Sequence, residues 1–543
     1  MKTRKEFEKT EKQYYRPEFE VCQECGSKLR RSHTAWSKTI IGLSEVREVY
    51  NQAYRCEKRE KCSQGEQVYR SVYADGLSMP YQTYGLDVVV YVGQARLRRY
   101  KSIPEIHREL SESRYEVPIS ERHVQNLFDV YLTLLACSHG KRIGKKRAEI
   151  KANGGIVLGV DGARPEKGQP GLYIFRDALT GTRLHAATLQ SADSEALKRE
   201  LKVVKGLGLP IQAVISDDEQ AIVKAVADIL PGVPHGLCHI HFLKAVQKPV
   251  YAQDKTLAKE LRSHLRPLNS VERLLQSNPD LTKELSGAQR QALRRYLDSL
   301  RAMLLTKGQA PFRLAGISIF ESLTLFTNSL TTSQASHSHA ILTLLQEMTA
   351  VYEMQRPHYE RVSRQQNWIM GLASLLDVPL SETHAWPTQT GSEVAQALFD
   401  YMKSLEELAS HLAEDAPLFQ HMRTRLNHWA PGLFWTYELP PLPRTNNDLE
   451  ADIGALKEQY RRITGRRTLK DYLMRYGPFL AYDNDQDDPD ELLAWFQEVD
   501  FSDFRKQRAI LDSLRAQLRN IQRFRQDPAA FFAETERLWR NPD

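Results

Sequence analysis

Residues 154–176 read GGIVLGVDGARPEKGQPGLYIFR. Ile156, Val157, Leu158 and Val160 form a short β-branched apolar run that stops at Asp161 and Gly162, which predicts a buried strand delivering one carboxylate at its end. A Pro/Gly turn separates it from a second apolar segment, Leu172 to Phe175, so the stretch predicts two strands joined by a turn. Asp before Gly is also a common turn former, and the stretch gains meaning only beside two later carboxylates.

Residues 211–230, IQAVISDDEQAIVKAVADIL, repeat the logic. An apolar run ends in Asp217 and Asp218, and a helix comes next with Ala221, Ile222, Ala225, Val226 and Ile229 on its inner face. Leu184 to Leu189 predicts a third strand and Ser194 to Lys205 a helix, so the order is three strands, helix, strand, helix. That alternation suits an α/β sheet with helices packed on its faces. Carboxylates at the ends of two neighbouring strands repel unless cations sit between them. Two Mg²⁺ ions (or Mn²⁺) would relieve this and serve in-line attack on a phosphodiester.

A third carboxylate comes much later, in residues 444–467, RTNNDLEADIGALKEQYRRITGRR. Thr445, Asn446 and Asn447 form a turn and helix cap, and Glu450 enters the first helical turn ahead of Ile453, Leu456 and Tyr460. A Glu there is commonplace by itself, because it complements the helix dipole. Arg461, Arg462, Arg466, Arg467 and Lys470 come after it, a solvated surface by default and well placed for phosphate contacts.

Upstream, Cys22 and Cys25 form a C-x2-C pair closed by Gly26, and Cys56 and Cys62 form a C-x5-C pair 30 residues later. Four thiolates in two short pairs can surround one tetrahedral Zn²⁺, and apolar patches between Thr39 and Tyr54 predict a hairpin, as in a zinc ribbon. His33 is a weaker substitute ligand. Cys238, His239 and His241, with His235, cluster in what reads as one short loop, where packing roles outweigh a second zinc.

Between these regions, residues 84–136 read as helices. Ser102 and Glu105 make a capping box, and Pro118 and Ser120 start a helix with Val124, Leu127, Phe128 and Tyr131 on one face. Two short helices across a turn at Ser113 to Val117 suggest a helix-turn-helix presenting Arg122, His123, Gln125 and Asn126 to a DNA groove, against the alternative of a plain helical subdomain. Lys145, Lys146 and Arg147 lie in a basic run read as a linker that could hold a phosphate backbone.

The Asp-ended strand, the second Ser-Asp strand with its helix and proline, and C-x2-H at Cys238 and His241 resemble the catalytic core of DDE transposases of the Mutator-like kind and of related bacterial insertion sequences. Thr445 to Glu450 is similar to the TN-x-x-x-E segment of the same transposases. In that family the second Asp stands at Asp217, and the place of Asp218 is more often taken by glycine. The resemblance implies an RNase H-like fold in which Asp161, Asp217 and Glu450 are catalytic and hold two Mg²⁺ ions. It also implies cleavage and strand transfer at the terminal inverted repeats of a mobile element, and a homodimer or higher oligomer on double-stranded DNA. A domesticated, catalytically silent DNA-binding descendant is the alternative, and a stand-alone RNase H-like nuclease leaves the amino-terminal modules unexplained.

Length and composition bound these expectations. The chain has 543 residues, 41% apolar and 26% charged, with net charge +7 and pI near 8.9. Such a chain is globular and multidomain, and its charge favours a polyanionic partner only weakly. The amino terminus lacks an apolar leader and no apolar run approaches a membrane span, so a cytoplasmic, nucleoid-associated protein is expected, with cysteines serving a metal in a reducing compartment. The expected organisation is a flexible lead-in (1–20), a four-cysteine zinc-ribbon-like module (21–80), a helix-turn-helix-like domain (81–138) and a basic linker (139–153). An α/β RNase H-like core is expected next in two parts (154–244 and 438–485), interrupted by an all-α insertion (245–437). A charged helical tail (486–543) ends the chain and is assigned a dimer or DNA-end contact.

Overall fold

A computed structural model describes residues 11–112, 116–163, 170–266, 286–332, 339–378, 388–440, 442–466, 470–483 and 487–541. The chain is mixed α/β and mostly helical, and it forms two compact units. The first contains Met1–Gln212 and Asn447–Asp543, and the second Ala213–Asn446. No helix among the described residues is long and apolar enough to cross a membrane.

The first unit opens with a three-stranded sheet of β1 (Glu11–Tyr15), β2 (Leu29–Ile41) and β3 (Val46–Cys56), in the order β1-β3-β2. β3 pairs parallel to β1 and antiparallel to β2. The expected hairpin is therefore present, with longer strands and register shifts at Arg31/His33 and Thr34/Trp36 that bend β2. The expected lead-in is corrected over its second half. Tyr14 stacks on Tyr50 with ring centroids 4.8 Å apart, so residues 11–15 gain a strand partner. Residues 1–10 lie outside the described residues.

Helices Leu86–Leu97 and Ile103–Glu112 come next, the second opened by the predicted Ser102/Glu105 box, with Ser102 N–H donating to the Glu105 carboxylate at 2.7 Å. The third helix departs from expectation. It starts at Ser120, whose hydroxyl caps the His123 N–H, and runs unbroken for 32 residues, Glu121–Ala152. The basic run expected as a linker is its last turns. Gly140 and Gly144 each cost only about 1 kcal/mol in a helix, and buried Ile143 and Ile150 anchor the far end. The turn predicted at 113–117 has residues 113–115 outside the described residues.

This long helix is the centre of the unit's core. Phe128, Tyr131, Leu132, Leu134 and Leu135 have no exposed surface. Helices Pro489–Gln497 and Phe501–Gln526 pack against it and bury Leu492, Phe496, Phe504 and Leu511. The segment expected as a tail is thus core up to about Leu511, because its apolar residues at i, i+3/i+4 spacing meet the apolar middle of that helix. Polar groups that enter this core are paired. Arg515 forms a two-pronged ion pair with fully buried Asp129, to which Arg508 approaches at 3.8 Å. Arg142 donates to Asp487 and, at 2.7 Å, to the Tyr482 carbonyl.

The predicted strands form an antiparallel meander of β4 (Ile156–Ala163), β5 (Gly171–Asp177) and β6 (Arg183–Leu189). Asp161 does not end its strand. β4 continues to Ala163, and Gly162 lies opposite Tyr173, where a Cβ would come within 2.6 Å of the aromatic ring. Glycine here makes room for a cross-strand ring, and no turn forms. The turn residues 164–169 lie outside the described residues. Asp177 closes the β5–β6 turn by accepting from the Thr180 hydroxyl at 2.6 Å and the Val157 N–H at 3.1 Å. Helix Ser194–Lys205 is where the sequence places it, capped by Asp193. Helices Asn447–Thr464 and Lys470–Tyr476 complete the unit.

Strand β7 (Ile211–Ser216) carries the chain into the second unit, ahead of helix Gln220–Ile229 and β8 (His235–Leu237), which pairs parallel to β7. The region expected as one short loop is instead β8 and the start of helix His239–Leu265, with Cys238 at its N-cap. From there to Glu438 every named element is a helix, as predicted for an all-α insertion. One apolar core gathers around Phe242, Ile369 and Trp429 and another around Leu257, Phe320 and Leu323. The predicted core positions Ile341, Leu344 and Leu345 have side chains outside the described set.

Replacing Asp129 by alanine leaves Arg515 without its carboxylate beside a buried helix. The Asp129→Ala chain is expected to lose roughly 3–5 kcal/mol in urea unfolding, read by far-UV circular dichroism.

Candidate active site and metal centre

The cysteine centre is built by the amino-terminal sheet. Residues Cys22 to Gly26 form a tight turn before β2, in which Gly26 N–H donates to Cys22 O at 2.9 Å and Gly26 takes φ +67°. Only glycine adopts that angle without strain, which is the role its position suggested. Cys56 ends β3, and Cys62 lies in a second turn where Gly65 N–H returns to Cys62 O at 3.0 Å. A Cβ on Gly65 would clash with the Arg59 carbonyl at 1.9 Å. The four sulfurs lie within 4.8 Å of one another, with Cys22 to Cys62 at 3.8 Å and Cys25 to Cys56 at 3.4 Å. Tetrahedral Zn–S bonds of ~2.3 Å set sulfur–sulfur distances near ~3.8 Å, so the set fits a structural metal such as zinc. His33 lies on the exposed part of β2, away from this set.

The electrostatics agree with a thiolate site. The Tyr69 hydroxyl, 3.5 Å from Cys22 Sγ, joins the Cys25 and Glu24 backbone in pulling the Cys22 thiol down to about 6. Burial, with Cys25 beside it, pushes Cys56 up to about 12. Four sulfurs this close hold protons unequally until a cation replaces them. No sequence pattern marks Tyr69, because a β-bridge to Tyr54 brings it in from beyond the second cysteine pair.

Of the three candidate carboxylates, Asp161 and Glu450 belong to the first unit and Asp217 to the second. Asp161 is nine-tenths buried in mid-β4, and its Oδ1 accepts from the Gly162 N–H at 2.7 Å. It shares a face of β4 with Ala163, and Ala163, Leu172, Ile174 and Ala186 form one core with Leu449 and Ile453. The helix Asn447–Thr464, which carries Glu450 in its first turn, therefore packs on the meander face that holds Asp161. Asp452, two residues past Glu450, fixes this helix by ion pairs to Arg176 on β5 at 3.2 Å and Arg183 on β6 at 3.3 Å. Only the meander register shows that role, since the arginines lie far from Asp452 in the chain.

In the second unit Asp217 directly succeeds β7. Cys238 N–H donates to Ser216 O at 2.8 Å, which sets the C-x2-H segment beside it. His235 Nε2 lies 2.8 Å from the Ser216 hydroxyl. Asp218 holds His428 of helix Ala416–Leu433 at 2.7 Å. The buried Cys238 sulfur accepts from the Asn446 N–H at 3.4 Å, and His239 N–H donates to Arg444 O at 2.9 Å. The C-x2-H segment and the Thr445-Asn446 turn are thereby one local structure.

The candidate DNA contacts differ among themselves. Arg122, His123 and Asn126 are exposed, whereas Gln125 turns inward to Asp129 at 3.0 Å and the Tyr476 hydroxyl at 3.2 Å. Lys145 pairs with Glu491 at 2.7 Å, Lys146 with Glu149 at 2.8 Å, and Arg147 reaches the Leu207 carbonyl at 3.3 Å. Arg461 and Arg462 share Glu458 at 3.0 Å, and Arg466 is exposed. Exposed ion pairs of this kind are worth little. Arg467 and the Lys470 side chain lie outside the described set. The chain matches no protein-family model and no curated protein sequence.

Two outcomes are expected. Metal analysis of the full chain gives one zinc per molecule, and Cys25→Ser and Cys56→Ser chains lose it, with metal binding supplying on the order of 10 kcal/mol to the module. Separately, burial pushes the imidazole of His239 down to about 4, while unfolded histidine titrates near ~6.5. The unfolded chain therefore binds a proton that the folded chain refuses. The stability this residue contributes is complete above pH ~6.5 and falls by up to about 1.4 kcal/mol per unit as pH drops toward 4. Hydrogen-exchange protection of helix His239–Leu265 measured across that range reads the slope, which His239→Gln flattens.

Proposed function

We propose that the chain is a DDE transposase that binds the ends of a mobile DNA element and catalyses metal-dependent cleavage and strand transfer. One observation carries this: the helix bearing Glu450 packs on the meander face bearing Asp161 and is fixed there by Asp452 between Arg176 and Arg183. A buried aspartate in mid-strand and a glutamate on a helix laid over it make a costly arrangement for stability alone. In an RNase H-like nuclease it is the basis of the active site. Strand β7 with Asp217 directly after it, and a helical insertion before the Glu450 helix, keep the same order.

In this reading Asp161, Asp217 and Glu450 hold Mg²⁺ or Mn²⁺. The ions would activate the attacking water or 3′-hydroxyl and stabilise the leaving oxygen. The protein's own contribution is to aim the carboxylates. Arg176 and Arg183 hold the helix through Asp452, and the Cys238 to Asn446 bond fixes the turn just before it. The four-cysteine module holds a structural zinc, and double-stranded DNA binds along the exposed residues of the Glu121–Ala152 helix and the Arg461, Arg462 and Arg466 cluster. These assignments place the protein with DNA inside the cell.

The test is cleavage and strand transfer on a duplex built from the DNA flanking the reading frame, with Mg²⁺ or EDTA. Wild type is expected to cut only with the metal, and Asp217→Ala and Glu450→Ala chains to bind the duplex as wild type does while losing at least about a hundredfold in cleavage. Binding without cleavage under any divalent metal would identify a silent DNA-binding descendant instead.

A further inference from the structure

We infer that His428 is a positioning residue for Asp217, and that Asp218 is the handle through which it acts and not itself a metal ligand. The inference rests on the transposase reading for what Asp217 does, while the grip on Asp218 stands on geometry within the second unit. Three residues without regular structure, Asp217 to Glu219, join β7 to the helix Gln220–Ile229. Glu219, the N-cap residue, gives that helix no side-chain bond. The joint is held by other bonds. The Ser216 hydroxyl donates to the Asp217 carbonyl at 2.7 Å, and Asp217 Oδ1 accepts the Glu219 N–H at 3.2 Å. Asp218 is clamped at both oxygens: Oδ1 accepts from the Gln220 amide at 2.9 Å, and Oδ2 from His428 Nε2 at 2.7 Å.

His428 pulls from an element that is itself fastened. Helix Ala416–Leu433 lies against β8 and the helix His239–Leu265. His421 Nε2 donates to the Ala245 carbonyl at 3.0 Å, and His239 Nε2 donates to the Leu433 carbonyl at 2.9 Å. A Cβ on Gly432 would come within 2.5 Å of Leu237, and buried Trp429 packs on Phe242 with ring centroids 5.7 Å apart. His421, His428 and Gly432 follow one another at seven- and four-residue steps, which puts them on one stripe of the helix. The stripe that seats the helix is therefore the stripe that reaches Asp218.

Such a bond differs from a pair of long, mobile surface side chains. The Asp218 side chain is only 16% exposed, its acceptor is a carboxylate, and the donor is a short ring on a seated helix, so little side-chain freedom is lost in making it. Asp218 is one peptide from Asp217. Holding its side chain from the insertion fixes the backbone of the joint, and with it the direction in which the Asp217 carboxylate leaves the chain. Partners that orient a ligand in this way commonly set metal affinity or activity by roughly 10–100-fold. A metal on Asp218 itself would compete with N–H donors already aimed at both of its oxygens, which leaves the ligand role to Asp217.

Two measurements on the full chain test this: amide hydrogen exchange without Mg²⁺ or Mn²⁺, and cleavage of the flanking-DNA duplex across a Mg²⁺ titration. His428→Ala is expected to speed exchange of the Glu219 and Gln220 amides at least about tenfold. It is also expected to raise the Mg²⁺ needed for half-maximal cleavage roughly 10–100-fold, with duplex affinity and the urea midpoint unchanged. His428→Gln keeps a donor of similar reach and Asp218→Asn keeps an acceptor, so both are expected within about threefold of wild type in both measurements. Asp217→Asn is expected to lose cleavage. An Asp218→Asn chain as inactive as Asp217→Asn makes Asp218 a ligand and overturns the proposal. Amides that exchange in His428→Ala as they do in wild type overturn it too. A wild type that cuts no duplex removes the transposase reading instead, and the exchange result then decides the grip on Asp218 by itself.

Discussion

The helix Glu121–Ala152 is buried on every side from Leu127 to Leu135, and the first unit exists because other segments must cover that stretch. A helix with a central stretch that is apolar all round cannot be stabilised by propensity alone. It needs packing from several directions. Leu86–Leu97 comes from before it in the chain, and Pro489–Gln497 and the start of Phe501–Gln526 come from the far end. The few polar groups on the helix then become constraints on the whole unit. Asp129 must meet Arg515, Arg142 must meet Asp487 and the Tyr482 carbonyl, and His139 binds the Leu184 carbonyl of β6 at 3.0 Å. Each of these would be an expensive buried charge or donor without its partner. Together they tie the carboxy-terminal segment and the meander to one helix.

The same logic places the candidate carboxylates. Asp161 is buried in a strand whose neighbours are apolar, so its face of β4 must be covered by something that tolerates a charge. The Asn447–Thr464 helix covers it with Leu449 and Ile453, brings Glu450, and is oriented by Asp452 against two arginines on adjacent strands. A helix held by ion pairs at its edge and apolar side chains beneath it has little freedom to rotate, which suits a residue that must keep one aim. Arg176 and Arg183 also place positive charge near an acidic face.

Much of this was legible in the sequence. The strands ending near Asp161 and Asp217, the helix at Ser194–Lys205, the cysteine pairs, the cap at Ser120 and the helical insertion all come from local periodicity or turn chemistry. What was not legible depends on partners distant in the chain. β1 exists because Tyr14 stacks on Tyr50, and β8 because three residues pair beside β7. Gly162 reads as a turn until Tyr173 is known to lie opposite it. The basic run after Ser138 reads as a linker by composition, yet Ile143 and Ile150 make it a helix. Leu492, Phe496 and Leu511 belong to a charged tail in sequence and to a core in space. At the candidate site the aspartates and Glu450 could be picked out from spacing and resemblance, whereas Asp452, Tyr69 and His428 act through contacts that no local pattern announces.

The C-x2-H segment shows how a long insertion can be carried at small cost. The second unit occupies the chain between β7 and the Asn447–Thr464 helix, and its entry and exit are fastened together inside that unit. Ser216 accepts from Cys238, the Cys238 sulfur accepts from Asn446, and His239 donates to the Arg444 carbonyl. Entering and leaving segments held within hydrogen-bond distance behave as a short connection however many residues lie between them, because the closure entropy is met by the inserted unit's own folding. Cys238 suits the junction because it is fully buried and small, and its soft sulfur accepts the Asn446 N–H where an apolar side chain would leave that donor unsatisfied in the interior. The residue that resembles a family signature therefore has a physical duty at the base of the insertion. It fixes the Thr445-Asn446 turn at the exit of the second unit.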